Sequence, residues 1–243
     1  MRYVQLARPV VTFDLGADLS FFVADTRVNR DRPTAGEPAS APKFMLDEDF
    51  DQLIGRVAGL KSPGVLVVGQ PLLSKGNHRD RGLPDFPEQY ARLCEALVSA
   101  PRDVVVLSGD VHFGRVAEID IQRPDGSSGA RIFEVISSPM ALVSLFRGRI
   151  ALAAGVFTGD IMEFPGLAEG AVVGHVRYAV PVESSGKRCE DHYLTLRFTK
   201  LGAGAGITVE VVAHLLRMPP GNSPARVQPI STFTVGAGLD QRV

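Results

Sequence analysis

Short uninterrupted runs of hydrophobic residues recur along the first half of the chain, and turn residues bound most of them. Val65–Val68 and Val104–Leu107 are such runs, and apolar runs of this length are typical of strands buried on both faces of a sheet. Val10–Phe13 and Leu19–Ala24 flank a polar turn at Asp14–Asp18 and have the composition of strands. The pattern therefore predicts strands in all four segments. Val65–Val68 and Val104–Leu107 are expected in the interior of a sheet.

Two other segments have apolar residues at helical spacing. The first runs from Leu46 to Leu60 and has acidic residues in its first turn, which favour a helix N-terminus. The second begins at Pro87, a residue common at the first helical position. One apolar face of this second helix is formed by Tyr90, Leu93, Cys94 and Leu97. Because a strand, a helix and a strand follow one another between Val65 and Leu107, we expect a parallel pair with a right-handed crossover.

The second half of the chain predicts mainly antiparallel strands. Residues 113–121 and 130–136 form a candidate hairpin around Pro124-Asp125-Gly126, and a short helix is expected at Met140–Phe146. Further along the chain, three strands are expected to pair in succession: Val172–Val180, His192–Phe198 and Ile207–His214. Residues 217–243 show little periodicity, so the sequence predicts one domain over 1–216 followed by an irregular tail over 217–243.

Composition and charge exclude several classes of protein. Hydrophobic residues make up 45% of the chain and charged residues 22%, which is ordinary globular composition. The net charge of -1 gives no basic excess for nucleic acid or an anionic membrane. Two cysteines are too few for a disulfide framework. Met1–Arg8 lacks the long apolar core of a secretory signal, so the sequence predicts a cytoplasmic location by default.

The most informative candidate for chemistry directly follows the run Val104–Leu107. Gly109 would let the chain turn sharply there, and Asp110 and His112 come next. A carboxylate and an imidazole at the carboxyl end of an interior strand suit a divalent or trivalent metal that activates water. The alternative is a surface turn in which Asp110 caps backbone amides and His112 packs against its neighbours.

Four sequence blocks, taken in order, resemble the C-terminal half of PhoD-like phosphatases, a branch of the calcineurin-like metallophosphoesterases. The blocks are Phe21–Arg27 with Arg30-Asp31, Val65–Leu72, Leu107–His112 and Glu134–Pro139. The resemblance covers Val10 to Ser144 and extends more weakly to His214. It implies an α/β fold that is part of a four-layer αββα metallophosphoesterase sandwich, with added antiparallel strands.

The same resemblance implies a metal-dependent hydrolase of phosphoric esters, of the alkaline phosphatase or phosphodiesterase type. His112 would bind one metal ion and Asp110 the other. Gln70 stands where relatives outside this branch often have a metal-binding histidine, and its harder amide oxygen favours iron, calcium or manganese over zinc. The alternative for Gln70 is simple hydrogen bonding within its loop. The expected partner is a small phosphate-ester substrate.

Weaker candidates lie in two polar segments. Asn77 and His78, within Gly76–Asp80, resemble the superfamily signature in which an asparagine binds metal and a histidine stabilises the leaving group. Pro71–Lys75 separate them from the preceding strand, so we interpret this segment as a polar loop on the substrate side. Arg27 and Arg30 could bind phosphate through their guanidinium groups; the alternative is a structural pairing of Asp25 with Arg27.

The chain departs from the family pattern at its start. A complete enzyme of this type has further aspartate and asparagine-histidine ligands before the strand at Phe21, where only Met1–Ser20 stand. The sequence therefore predicts an incomplete site that binds metal weakly and catalyses poorly in this chain alone. The alternative is a non-catalytic remnant of the fold that serves binding or assembly, and an uncovered sheet predicts self-association.

Overall fold

The computed structural model describes residues 9–31, 42–73, 82–109, 114–121, 128–137, 172–180, 191–202, 206–216 and 226–236. The strands are β1 (Val10–Leu15), β2 (Leu19–Ala24), β3 (Gly64–Val68), β4 (Val104–Ser108), β5 (Gly114–Ile121), β6 (Ile132–Ile136), β7 (Val172–Val180), β8 (Asp191–Lys200), β9 (Ile207–Leu216) and β10 (Arg226–Val235). The α-helices of the described residues are α1 (Asp47–Ala58) and α2 (Pro87–Val98). The short helix predicted at 140–146 lies outside these residues.

A seven-stranded sheet, the large sheet, has the strand order β1-β2-β3-β4-β6-β5-β7. Strands β2, β3, β4 and β6 run parallel, whereas β1, β5 and β7 are antiparallel to their neighbours. The parallel pair β3–β4, joined through α2, and the antiparallel pair β5–β6 are both as the sequence predicts. The four parallel strands end at the same side of the sheet, which we call the carboxyl edge.

Helices α1 and α2 cover one face of the large sheet with their apolar sides. Phe50, Leu53 and Val57 of α1 are buried, and the acidic first turn predicted at its start is present. The rings of Phe50 and Phe86 meet Phe44 edge to face, with centroids 5.5 and 5.8 Å apart. Each buried side chain of this size contributes about 2 kcal/mol of transfer free energy. The helical spacing in the sequence therefore marks the side chains that form this core.

Strands β8, β9 and β10 form a small sheet that packs on the opposite face of the large sheet. Val209 and Val235 of the small sheet share a buried cluster with Val105 of β4. Phe233 stacks on Phe133 at a centroid distance of 4.1 Å. The described residues thus form three layers, of helices, large sheet and small sheet. The fourth layer of the predicted sandwich stays a prediction.

Asp103, just before β4, joins the two sheets through backbone amides. Its carboxylate accepts hydrogen bonds from the amide of Arg131 at 2.8 Å and from the amide of Gly236 at 2.9 Å. The Arg131 guanidinium in turn donates to the carbonyl oxygen of Thr234 in β10. Since Asp103 is 1% exposed, these charge-assisted bonds form away from water, where they are stronger.

Two expectations for the C-terminal part were wrong. First, β7 was expected to pair with β8. Instead β7 pairs with β5 in the large sheet, and β8 belongs to the small sheet. Second, β10 lies within the segment expected to be an irregular tail, and it pairs antiparallel with β9. Pro229 obscures this strand in the sequence, because proline cannot donate to a sheet ladder. The structure accommodates Pro229 on an edge strand with a register shift at Pro229 and Ser231.

No α-helix in the described part of the chain is long and apolar enough to cross a membrane.

Candidate functional site

The carboxyl edge is built by strands that end at nearly the same level. Ala24 of β2 pairs with Val68 of β3, and Ser108 of β4 pairs with Ile136 of β6. Open α/β sheets bind their ligands at this edge. The candidate residues predicted from the sequence include two that follow strands of this edge, Gln70 after β3 and Asp110 after β4.

Gln70 lies at this edge, two residues beyond β3, and its side chain is only 2% exposed. Its Oε1 atom accepts a hydrogen bond from the guanidinium of Arg30. A glutamine oxygen has two lone pairs, so this bond leaves room for a second interaction. The contact with Arg30 joins Gln70 to a separate loop, and the metal-binding role of Gln70 stays a prediction.

Arg30 is held in place by its surroundings. Its Nε atom donates to the carbonyl oxygen of Thr26 at 3.3 Å. The guanidinium carbon lies 5.0 Å from the centroid of the Phe86 ring, at the distance of a cation–π contact. Arg30 therefore brings a positive charge to the Gln70 amide. The spacing of the two residues in the sequence did not predict this contact.

Arg27 lies in the exposed turn that follows β2. The Oδ1 atom of Asp25 accepts hydrogen bonds from the backbone amides of Arg27 at 2.8 Å and Val28 at 3.2 Å. Asp25 thus stabilises the turn through the backbone, as aspartate commonly does in turns. Asp25 thus contacts the backbone amide of Arg27, and phosphate binding by the Arg27 guanidinium stays a prediction.

Four of the predicted site residues lie outside the described residues: Asp110, His112, Asn77 and His78. Gly109, which directly precedes Asp110, is described. A Cβ atom added to Gly109 would lie 3.0 Å from the carbonyl oxygen of Ser137. The chain therefore leaves β4 close to the backbone after β6, and a side chain at this position would require that backbone to shift by a few tenths of an ångström.

A fully buried ion pair lies beneath the loop that follows Gln70. Arg115 of β5 and Glu134 of β6 are both 0% exposed and pair through their charged groups. Glu134 also accepts hydrogen bonds from the amides of Leu72 at 2.6 Å and Leu73 at 3.1 Å, and Arg115 donates to the carbonyl oxygen of Leu73 at 2.5 Å. The pair thus anchors the backbone just beyond Gln70.

The role of this ion pair was not predicted from the sequence. Its one signal is a glutamate inside the otherwise apolar run Ile132–Ile136, because a buried carboxylate requires a partner. Tyr90 of α2 adds a second anchor, since its hydroxyl donates to the carbonyl oxygen of Leu72 at 2.9 Å. Burial raises the pKa of Tyr90 above its ordinary range. The hydroxyl therefore stays protonated and able to donate this hydrogen bond.

Cys94 lies beside Tyr90 in the same core and is completely buried. Burial is the main cause that raises the pKa of its thiol to about 12. A thiol with this pKa is protonated at neutral pH, and the thiolate is the nucleophilic form. Cys94 is therefore a core residue.

Comparisons with known proteins add little to this geometry. No family model matches the sequence, and no curated protein matches it. Among solved structures, the chain is similar to one titled "Structure of PhoD", with a TM-score of 0.46 and 15% identity. The match covers 93% of this chain and 44% of that chain, so the present chain spans less than half of its length. The likeness is too distant to carry an argument.

Proposed function

We propose that this chain belongs to a metal-dependent hydrolase of phosphoric esters, of the alkaline phosphatase or phosphodiesterase type, whose reaction takes place at the carboxyl edge. One observation carries the proposal. Val67 of β3 pairs with Leu107 of β4, so the two strands reach the carboxyl edge at the same level, and the residues that follow Gly69 and Gly109 would lie near each other. Those residues are Gln70 and Asp110.

The chemistry of these donors fits a metal ion. Gln70, Asp110 and His112 would hold it with an amide oxygen, a carboxylate and an imidazole, a set that favours iron, calcium or manganese. The buried Gln70 oxygen keeps an acceptor position beside its bond to Arg30. A bound ion would supply Lewis acidity and lower the pKa of an attacking water.

Other residues of the chain would bind and orient the substrate. We assign Arg27 to a phosphate oxygen, because a guanidinium forms paired hydrogen bonds with phosphate. Asn77 and His78 would supply polar contacts from the loop that follows β3. Glu134, Arg115 and Tyr90 would keep the start of that loop in place through their bonds to Leu72 and Leu73.

Manganese titration of histidine variants tests this proposal. We expect the purified chain to bind Mn²⁺ and His112→Ala to weaken that binding by about tenfold or more, because one ligand is lost. His214→Ala is the matched control, since His214 contacts Thr195 Oγ1 at 2.9 Å and stacks on Tyr193 in the small sheet. Equal Mn²⁺ binding by the wild type and His112→Ala would refute the proposed site.

Hydrolysis of p-nitrophenyl phosphate and of its diester is the second readout. We expect slow turnover that requires the added ion and is lost in Asp110→Asn. The control variant His214→Ala should keep the wild-type rate. Metal-independent turnover, or turnover that survives Asp110→Asn, would argue against a role for the carboxyl edge.

A non-catalytic role in binding or assembly is the second candidate. Val11, Phe13 and Leu15 of the edge strand β1 are 51%, 47% and 53% exposed, and they alternate along the strand, so they share one face. An exposed apolar stripe on an edge strand favours association with another chain. Mn²⁺ binding without turnover, together with self-association, would favour this second candidate.

A further inference from the structure

The oxygen that the proposed function assigns to a metal ion already accepts a hydrogen bond from a positively charged group. Gln70 Oε1 bonds to the guanidinium of Arg30, and the glutamine side chain is 2% exposed. The structure therefore places a cation at the very atom where a second cation is expected. The inference below rests on the proposed function and concerns the same site.

Further contacts hold the Arg30 side chain in the position from which it bonds to Gln70. Its Nε atom bonds to the Thr26 carbonyl oxygen at 3.3 Å, and its guanidinium lies 5.0 Å from the Phe86 centroid. Phe86 is fully buried and lies at the start of α2, so the aromatic contact is part of the helix layer. Two further contacts thus hold the guanidinium while it bonds to the glutamine oxygen.

Two cations on one oxygen repel each other. A hydrogen bond of about 2.9 Å and a metal–oxygen bond of about 2.4 Å, on the two lone pairs, would separate the charges by about 4–5 Å. Water screens such a pair poorly at a buried side chain, so the repulsion is larger than it would be at the surface. A metal ion at Gln70 must therefore bind against the field of Arg30 or displace its guanidinium.

We propose that Arg30 is a positioning residue that lowers the cation affinity of Gln70 at the carboxyl edge. Its guanidinium orients the amide oxygen and opposes a metal ion through its charge. Removal of the charge strengthens cation binding at this site, whereas loss of a merely structural residue would weaken it or leave it unchanged. The sign of the effect thus separates the two roles.

Calorimetric titration of the full chain with Mn²⁺ alone tests the proposal. Arg30→Met removes the charge and keeps much of the side-chain length, and we expect it to bind Mn²⁺ about tenfold tighter than the wild type. Arg30→Lys keeps the charge and should stay within about threefold of the wild type. Arg92→Met is the matched control, because Arg92 lies 5.0 Å from the Phe50 centroid but pairs with Asp51 on the helix layer.

A double variant tests whether the effect passes through Gln70. In the Gln70→Leu background, Arg30→Met should give a clearly smaller gain in Mn²⁺ affinity than in the wild type, because the oxygen that both cations share is gone and only the through-space repulsion remains. A gain of the same size with and without Gln70 would overturn the assignment to this side chain. Arg30→Gln is a second neutral variant, and circular dichroism on heating establishes that each variant is folded.

The possible outcomes separate this inference from the proposed function. If the wild type binds Mn²⁺ but folded Arg30→Met and Arg30→Gln bind no tighter, the inference is overturned and the proposed function stands. If Arg30→Lys gains as much affinity as Arg30→Met, charge is not the cause and the inference is again overturned. If no variant and no wild-type protein binds Mn²⁺, the proposed function fails and the inference fails with it.

Discussion

Arg115 and Glu134 form an ion pair between neighbouring strands of the large sheet, with both side chains completely withdrawn from solvent. The other carboxylate oxygen of Glu134 accepts hydrogen bonds from the amides of Leu72 and Leu73. A buried pair of this kind adds little net stability by itself, because both charges lose their hydration. Its specific effect is on geometry, since it holds the backbone that follows Gln70 against the sheet.

Glu134→Gln should lower the free energy of unfolding by about 3–5 kcal/mol, because it leaves the buried Arg115 charge without its counter-charge. Urea unfolding monitored by circular dichroism measures the change. Asp51→Asn is the control, since Asp51 pairs with Arg92 through side chains that are 61% and 51% exposed. That exposed pair should contribute less than about 1 kcal/mol. Equal losses in the two variants would contradict this account of the ion pair.

Gly109→Ala should destabilise the protein by about 1–3 kcal/mol. Its Cβ atom would lie 3.0 Å from the Ser137 carbonyl oxygen, and the amide of Ser137 is held by a hydrogen bond of 3.0 Å to the carbonyl oxygen of Ser108. Gly55→Ala in α1 is the control of opposite sign, because nothing lies within 4 Å of its Cβ position. Alanine at that helical site should stabilise by up to about 1 kcal/mol. Thermal unfolding of both variants tests the prediction, and a stabilised Gly109→Ala would contradict it.

The raised pKa of Cys94 predicts a loss of stability at alkaline pH. In the unfolded chain the thiol ionises near its ordinary pKa of about 8.5, whereas in the folded protein it ionises at about 12. The unfolded state therefore releases its proton first. As the pH rises between these two pKa values, the unfolded state is increasingly favoured and the folded protein loses stability. We expect the free energy of unfolding to fall by about 1.4 kcal/mol per pH unit in this window.

Cys94→Ala measures that contribution. The variant should show a shallower fall of the urea midpoint between pH 9 and 11 than the wild type, together with a pH-independent loss from the lost packing. Tyr90 contributes a fall of the same sign, because burial raises its pKa as well. Identical pH profiles for the wild type and Cys94→Ala would rule out a buried thiol as a cause.

The apolar stripe on β1 predicts self-association, an expectation that the sequence analysis reached from an uncovered sheet. Phe13→Lys should shift the chain towards the monomer in sedimentation velocity, because a charge on an edge strand opposes pairing with a second copy. Val227→Lys on the edge strand β10 is the control, since Val227 is 60% exposed on the other sheet. A monomeric wild type at high concentration would exclude this association.

The sequence predicted helix α2 and the β3–β4 pair, because both depend on residues that are close together in the chain. Helix α2 follows from Pro87 and the apolar face that ends at Leu97, and the parallel pair β3–β4 follows from the strand–helix–strand order. The pairing of β7 with β5 was not predictable in this way, because it joins segments far apart in the chain. Sequence neighbours are only a statistical guide to strand neighbours.

In the candidate site, too, the positions of residues along the chain could be predicted from the sequence, but contacts between distant residues could not. The position of Gln70 at the end of β3 could be predicted, because a glycine and a polar residue follow an apolar run. Its bond to Arg30 spans 40 residues and depends on how two separate loops meet. Likewise, the sequence marks Glu134 as an unusual charge but does not indicate that Arg115 faces it across the sheet.

The contacts between β10 and the rest of the protein determine how far a recombinant protein can be shortened from its C-terminus. Removal of everything after residue 216 would strip Phe233 from the ring of Phe133 and take away the Gly236 amide that Asp103 binds. The small sheet would be reduced to β8 and β9, and newly bared aromatic surface would promote precipitation. Shortened versions should therefore retain the chain through Gly236.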